Sequence, residues 1–155
     1  MPARHDLRGH GLVQGRRLSR RQIVEETTLA DTGMPFANLM GVEIVERTKD
    51  RVRGRLVVRE DLCTAGGILH GGAFMAFADA LGAIGGVLNL PEGARTTTLE
   101  SKTNFLGGAP VGSTVEGEAT PLHVGRRSSV WQTRITSAEG KLLALVIQTQ
   151  MTIQA

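Results

Sequence analysis

A chain of 155 residues with 41% hydrophobic side chains is long enough to bury one real core, and reads as one domain. Aromatic content is 3% with no tyrosine, which argues against readers of single-stranded nucleic acid that stack bases on aromatic platforms. One cysteine, Cys63, and four scattered histidines (5, 10, 70, 123) leave no disulfide and no metal-ligand spacing, so neither a metal nor a redox cofactor is expected.

The net charge of +3 is unevenly placed. Residues 1–21 hold six Arg and one Asp, whereas 22–155 hold 12 basic and 14 acidic residues. The basic excess therefore belongs to the tail, and a nucleic-acid partner is not expected. Paired arginines at 16–17 and 20–21 suggest an export signal, but the sequence that follows, IVEETTLADTG, is acidic and polar where an apolar stretch is required. A reducing, cytoplasmic setting fits best. Residues 1–18 lack periodicity and read as a flexible tail, leaving 19–155 as a single domain. Ser19 is placed to cap a short helix to about Ala30, and Pro35–Met40 reads as a helical turn.

Strands come next. Gly41–Arg47 carries Val42, Ile44 and Val45. Arg51–Val58 alternates, with Val52, Gly54, Leu56 and Val58 on one face and Arg51, Arg53 and Arg55 on the other. Thr48-Lys49-Asp50 forms the hairpin between them. A loop over Arg59–Leu69 leads to a helix from about Gly72 to Leu88, stopped by Asn89, Pro91 and Gly93. Four strands follow, at about Arg95–Leu106, Thr114–His123, Ser128–Thr136 and Leu142–Ile153. The last alternates, with Leu143, Leu145, Ile147, Met151 and Ile153 on one face. Short turns between the late strands imply antiparallel pairing. A helix apolar on every side must be covered on nearly every side, by a curved sheet and then by a second subunit. The result is an α+β domain with one central helix, a ferredoxin-like sandwich being the alternative that periodicity permits.

Asp79 is the only charged residue in the 23 residues from Ile68 to Leu90. A carboxylate in such a helix is costly unless it is paired or working. The run is long enough to span a bilayer, but Asp79, His70 and five glycines favour a core helix. Gly71 and Gly72 open the helix, where free N–H groups and the dipole favour negative charge, so a substrate carbonyl can be polarised there. Asp79 is then a candidate nucleophile or general base. Gly71 and Asp79 lie about 12 Å apart along one helix. Both can act on one carbonyl only if they come from different subunits, so the chemistry calls for a dimer. Against this stand plainer roles. Asp79 can be a buried structural acid, His70 can fill the turn and bond to backbone, the glycines can serve close packing, and Arg126-Arg127 can be a solvated pair.

Leu69-His70-Gly71-Gly72-Ala73 followed by Ala78-Asp79 resembles the hotdog-fold acyl-CoA thioesterases. The subgroup is the phenylacetate-pathway type with the 4-hydroxybenzoyl-CoA and dihydroxynaphthoyl-CoA enzymes. Thr103-Asn104-Phe105-Leu106, the run from Pro121 to Arg127 and Val130-Trp131-Gln132 add to the likeness, which spans about Pro35 to Ile153. The resemblance implies a curved antiparallel sheet of five to six strands around one long helix. It also implies a homodimer or a dimer of dimers (a homotetramer) with sites at subunit interfaces. Asp79 would attack the thioester or activate water, the Gly71 N–H would polarise the carbonyl, and His70 would orient it. Thr64, Gly72, Ala83 and Asn104 would join the substrate site, and Arg126 and Arg127 would meet the CoA nucleotide. The substrate would be an acyl-CoA and no cofactor would be needed. Three positions depart from the pattern. Thr64 stands where Gln or Asn is common, Ala83 where Ser or Thr holds the water, and Gly107-Gly108 where Arg-Pro is expected. Thr64 and Ala83 keep open a weakly catalytic or non-catalytic acyl-CoA binding or sensing protein.

Overall fold

The computed structural model describes residues 32–154. The expected tail over 1–18 and the helix from Ser19 to about Ala30 lie outside the described residues. A short helix, α1 (Pro35–Met40), comes first. Pro35 suits its first position, where no N–H is needed and φ is preset. Gly41 ends it with φ 81°, and the N–H groups of Gly41 and Val42 cap the carbonyls of Asn38 and Ala37.

Strands β1 (Glu43–Arg47) and β2 (Val52–Val57) pair as the expected hairpin. Val52, Gly54 and Leu56 are buried, whereas Arg55 is exposed. Glu46 lies 2.9 Å from Arg51 across the turn, and holds the Arg51 guanidinium above its ordinary pKa, first by hydrogen bonding and then by charge. A single 3₁₀ turn (Glu60–Leu62) precedes the long helix α2 (Gly71–Leu88). Then come β3 (Arg95–Phe105), β4 (Thr114–Val124), β5 (Ser128–Ser137) and β6 (Leu142–Ile153). Every pairing is antiparallel, and the order across the sheet is β1-β2-β4-β5-β6-β3. This is the hotdog arrangement, six strands curved round one helix. A ferredoxin-like sandwich needs a second comparable helix, and among the described residues the other α-helix, α1, has six residues.

Glycine sets how closely α2 approaches the sheet. Gly82, Gly85 and Gly86 lie over Gln148, Trp131 and Gln150, while Gly54 and Gly117 on the sheet receive Phe77 and Leu81. A Cβ on Gly85 would sit 2.5 Å from the Trp131 ring, which is fully buried and has nowhere to go. Gly85→Ala should therefore cost about 1–3 kcal/mol through overpacking. Thermal unfolding reads this as a loss of roughly 2–4 °C in Tm per kcal/mol for a chain of this size; an unchanged Tm would contradict the packing account. By length and composition α2 would reach across a bilayer, but 56% of it is buried inside the fold, as a core helix requires.

Two expectations need correction. α2 begins at Gly71, one residue early, because His70 already caps it. Its own sheet leaves one side of it open, the part that the sequence reading assigns to a second subunit. Gly72, Met75 and Val87 are exposed and Ala76, Asp79 and Ala83 half-buried, which traces one open stripe at helical spacing. The alternation in β6 is also reversed in meaning. Ala144, Val146, Gln148 and Gln150 face α2, whereas of the expected face only Leu143 is buried, Leu145, Ile147 and Ile153 are partly covered and Met151 is exposed. The more polar set is the inner one because it lies beneath the glycines of α2 and beside Asp79.

Candidate active site

The start of α2 is built by the loop before it. Thr64 N–H donates to the Ile68 carbonyl, Gly67 N–H to the Thr64 carbonyl, and His70 N–H to the Leu62 carbonyl, all within 2.9 Å. Leu69 N–H donates to the Ala109 carbonyl at 2.8 Å, which ties the loop to the segment before β4. His70 is the N-cap: its Nδ1 accepts from Gly72 N–H at 2.9 Å. The plainer role for His70 is thus real, and it has a chemical consequence. With Nδ1 accepting, the neutral ring carries its proton on Nε2, so the exposed side chain presents a donor. The Gly71 N–H has no acceptor among the described residues. Phe105 lies over Gly71, where a Cβ would be 3.2 Å from the ring, and packs edge-on against Phe74 at 6.3 Å between centroids.

His70 and Gly72 open onto a cleft of about 540 Å³ whose other walls include Phe36, Leu39, Met40 and Leu62. Phe36 and Leu39 of α1 are 64% and 74% exposed, so the cleft has an apolar outer wall. Arg59 fixes that wall by donating to the Met40 and Leu39 carbonyls at 2.6 and 3.2 Å, while pairing with Asp61 at 3.1 Å. Cys63 also lines the cleft; its thiol donates to the Arg59 carbonyl at 3.2 Å, and among the described residues no histidine is hydrogen-bonded to it.

Asp79 lies two turns further along α2, on the open stripe, and is half-buried rather than enclosed. Its Oδ1 accepts from Thr98 Oγ1 and from Gln148 Nε2, each at 3.1 Å. Its Oδ2 has no partner among the described residues. The cost of the charge is therefore met by hydrogen bonds to one oxygen. Sequence reasoning missed Thr98, Gln148 and Gln150. The available signal was two glutamines at alternate positions in a largely apolar strand, opposite the face that alternation favoured.

The remaining predicted residues are dispersed. Ala83 sits one turn beyond Asp79 on the same stripe, half-buried and with no hydroxyl to offer. Thr64 shapes the loop before His70 and does not line the cleft. Asn104 is exposed on β3, opposite Leu145. Gly107 N–H donates to the Leu143 carbonyl, so the Gly107-Gly108 departure continues β3 alongside β6. Arg126 and Arg127 are exposed on the β4–β5 turn and line a second depression of about 590 Å³ with Pro91, Met151, Thr152 and Gln154. The two depressions share no residue, so one subunit does not bring the arginine pair to the His70 cleft. Among the described residues no group of three or more His, Cys, Asp or Glu is arranged to hold a metal.

Residues 66–144 match the family model described as the thioesterase superfamily. A putative esterase of Haemophilus influenzae is 36% identical over 104 residues, covering 66% of this chain and 74% of the relative. A 1,4-dihydroxy-2-naphthoyl-CoA hydrolase of Listeria monocytogenes is 30% identical over 112 residues, covering 72% of this chain and 90% of the relative. The crystal structure of a thioesterase from Haemophilus influenzae superposes with a TM-score of 0.74 at 26% identity, covering 92% of this chain and 96% of that one.

Proposed function

This chain belongs to the thioesterase superfamily, and from that premise we propose that it hydrolyses acyl-CoA thioesters at sites shared between subunits. One observation carries this reading. Asp79 has one carboxylate oxygen held by two donors and the other without a partner among the described residues, on the stripe of α2 that its own sheet leaves open. In the proposed reaction the unheld oxygen attacks the thioester carbonyl or takes a proton from the attacking water. The Gly71 N–H of the other subunit polarises that carbonyl, and the Nε2 proton of His70 orients it. The C–S bond breaks, a C–O bond to water forms in the product, and CoA leaves as the thiol. No metal or redox group enters.

The intersubunit geometry follows from helix arithmetic. Gly71 and Asp79 are eight residues apart on α2, about 12 Å, too far to share a carbonyl within one subunit. A homodimer, or a dimer of two such dimers, brings the open stripes together. The free edge of β3, eleven residues long and largely exposed, supports continuation of the sheet into a second copy. Antiparallel helices would also bring Arg126 and Arg127, near the end of α2, towards the cleft of the partner, where guanidinium groups suit the CoA phosphates.

The apolar wall formed by Phe36, Leu39, Met40 and Leu62 supports an aromatic or medium-chain acyl group. A non-catalytic acyl-CoA binding protein is the reading that Thr64 and Ala83 left open. The hydrolase names of the relatives favour the enzyme. Release of free thiol from a panel of aromatic and medium-chain acyl-CoAs tests the proposal. Turnover of at least one member is expected. Binding without thiol release across the panel would turn the assignment to the binding protein.

A further inference from the structure

The sheet beneath α2 carries two glutamines where a core strand ordinarily carries aliphatic side chains. Gln148 is 0% and Gln150 2% exposed. A buried amide is costly unless both ends are bonded. Gln148 is bonded at one end only: Nε2 donates to Asp79, and Oε1 is buried without a partner among the described residues. Space is reserved for it as well, because a Cβ on Gly82 would overlap its amide. A residue selected for stability alone would be apolar here.

Gln150 serves the same carboxylate indirectly. Thr96 Oγ1 lies 3.2 Å from Gln150 Oε1, and Gln150 Nε2 donates to Thr98 Oγ1 at 2.9 Å. Since the Thr98 hydroxyl accepts from Gln150, its own proton is directed to Asp79 Oδ1, 3.1 Å away. Two donors of fixed sense, from β3 and β6, thus converge on one oxygen of Asp79.

We infer that Gln148 and Thr98 are positioning residues that hold Asp79 by Oδ1 and leave Oδ2 for the substrate. This inference rests on Asp79 being the carboxylate that acts on the thioester. Gln148 is kept at a cost to stability because it sets the plane and reach of that carboxylate. Thr98, backed by Gln150, sets the same oxygen from the edge strand.

Gln148→Met in the full chain tests it, since methionine is unbranched, of similar size and has no amide. Expected are a Tm that holds or rises, a kcat lower by on the order of 10–10²-fold, and a KM for the acyl-CoA that changes little. Thr98→Val should lose kcat in the same way, and Thr98→Ser, which keeps the hydroxyl, should recover most of it. An unchanged kcat in Gln148→Met, or a Tm that falls in step with kcat, overturns the inference, as does equal loss in Thr98→Ser and Thr98→Val. Asp79→Asn is measured alongside. If it is inactive while Gln148→Met is fully active, only the positioning role fails; if it retains the full rate, the catalytic reading of Asp79 falls and takes this one with it.

Discussion

Asp79→Asn is expected to lose thioester hydrolysis by about 10²–10⁴-fold, the contribution of a positioned acid–base group, while the protein remains folded. The substitution is conservative where the fold is concerned. Asparagine keeps an oxygen to accept from Thr98 and Gln148, which hold Oδ1 at 3.1 Å. It changes only the other terminus, where an amide can neither attack a thioester nor accept a proton at neutral pH. Thiol release reports the first effect and thermal unfolding the second. A rate within a few-fold of the parent would return Asp79 to the role of a half-buried structural acid.

Gly71→Pro should reduce kcat by on the order of 10²–10³-fold, the effect of removing one donor from an oxyanion site. Proline is the appropriate probe for local reasons. Gly71 is the first helical residue, where proline is tolerated and the N–H has no intrahelical acceptor. His70 before it is extended, at φ −64° and ψ 142°, as a residue preceding proline must be. The substitution therefore deletes an N–H and leaves the helix start in place, at the cost of a small shift of the Phe105 ring, 3.2 Å from the added Cβ position. It also tests the subunit argument. Mixed and reassorted, Asp79→Asn and Gly71→Pro subunits form heterodimers in which one of the two sites has both groups intact, so about a quarter of the parent activity should return. No recovery on mixing would place both groups in one subunit's site, against the spacing.

Much of this molecule is legible in its residues because it depends on local rules. Gly41 marks the end of α1, Asn89 and Pro91 the end of α2, and Thr48-Lys49-Asp50 the first hairpin. The β6 bounds agree at both ends with those expected. The motif from His70 to Asp79 was visible as well, since both ends lie on one helix. Less legible were the inner face of β6 and the partners of Asp79. Alternation in β6 favoured Leu145 and Ile147 as a buried face, yet Gln148 and Gln150 are the residues enclosed. Hydrophobicity could not indicate this, because the polarity of the inner face answers to one carboxylate 69 positions earlier in the chain.

The sequence by itself determined the class of fold, the place of the helix and the family motif, because backbone propensity, glycine and proline act over a few residues. Only the tertiary structure decided what surrounds Asp79. Its donors come from β3 and β6, brought together by sheet pairing and by the close seat that glycines give α2. Hydrogen bonds require atoms within about 3 Å, and nothing in linear spacing places Gln148 or Thr98 at that distance from Asp79.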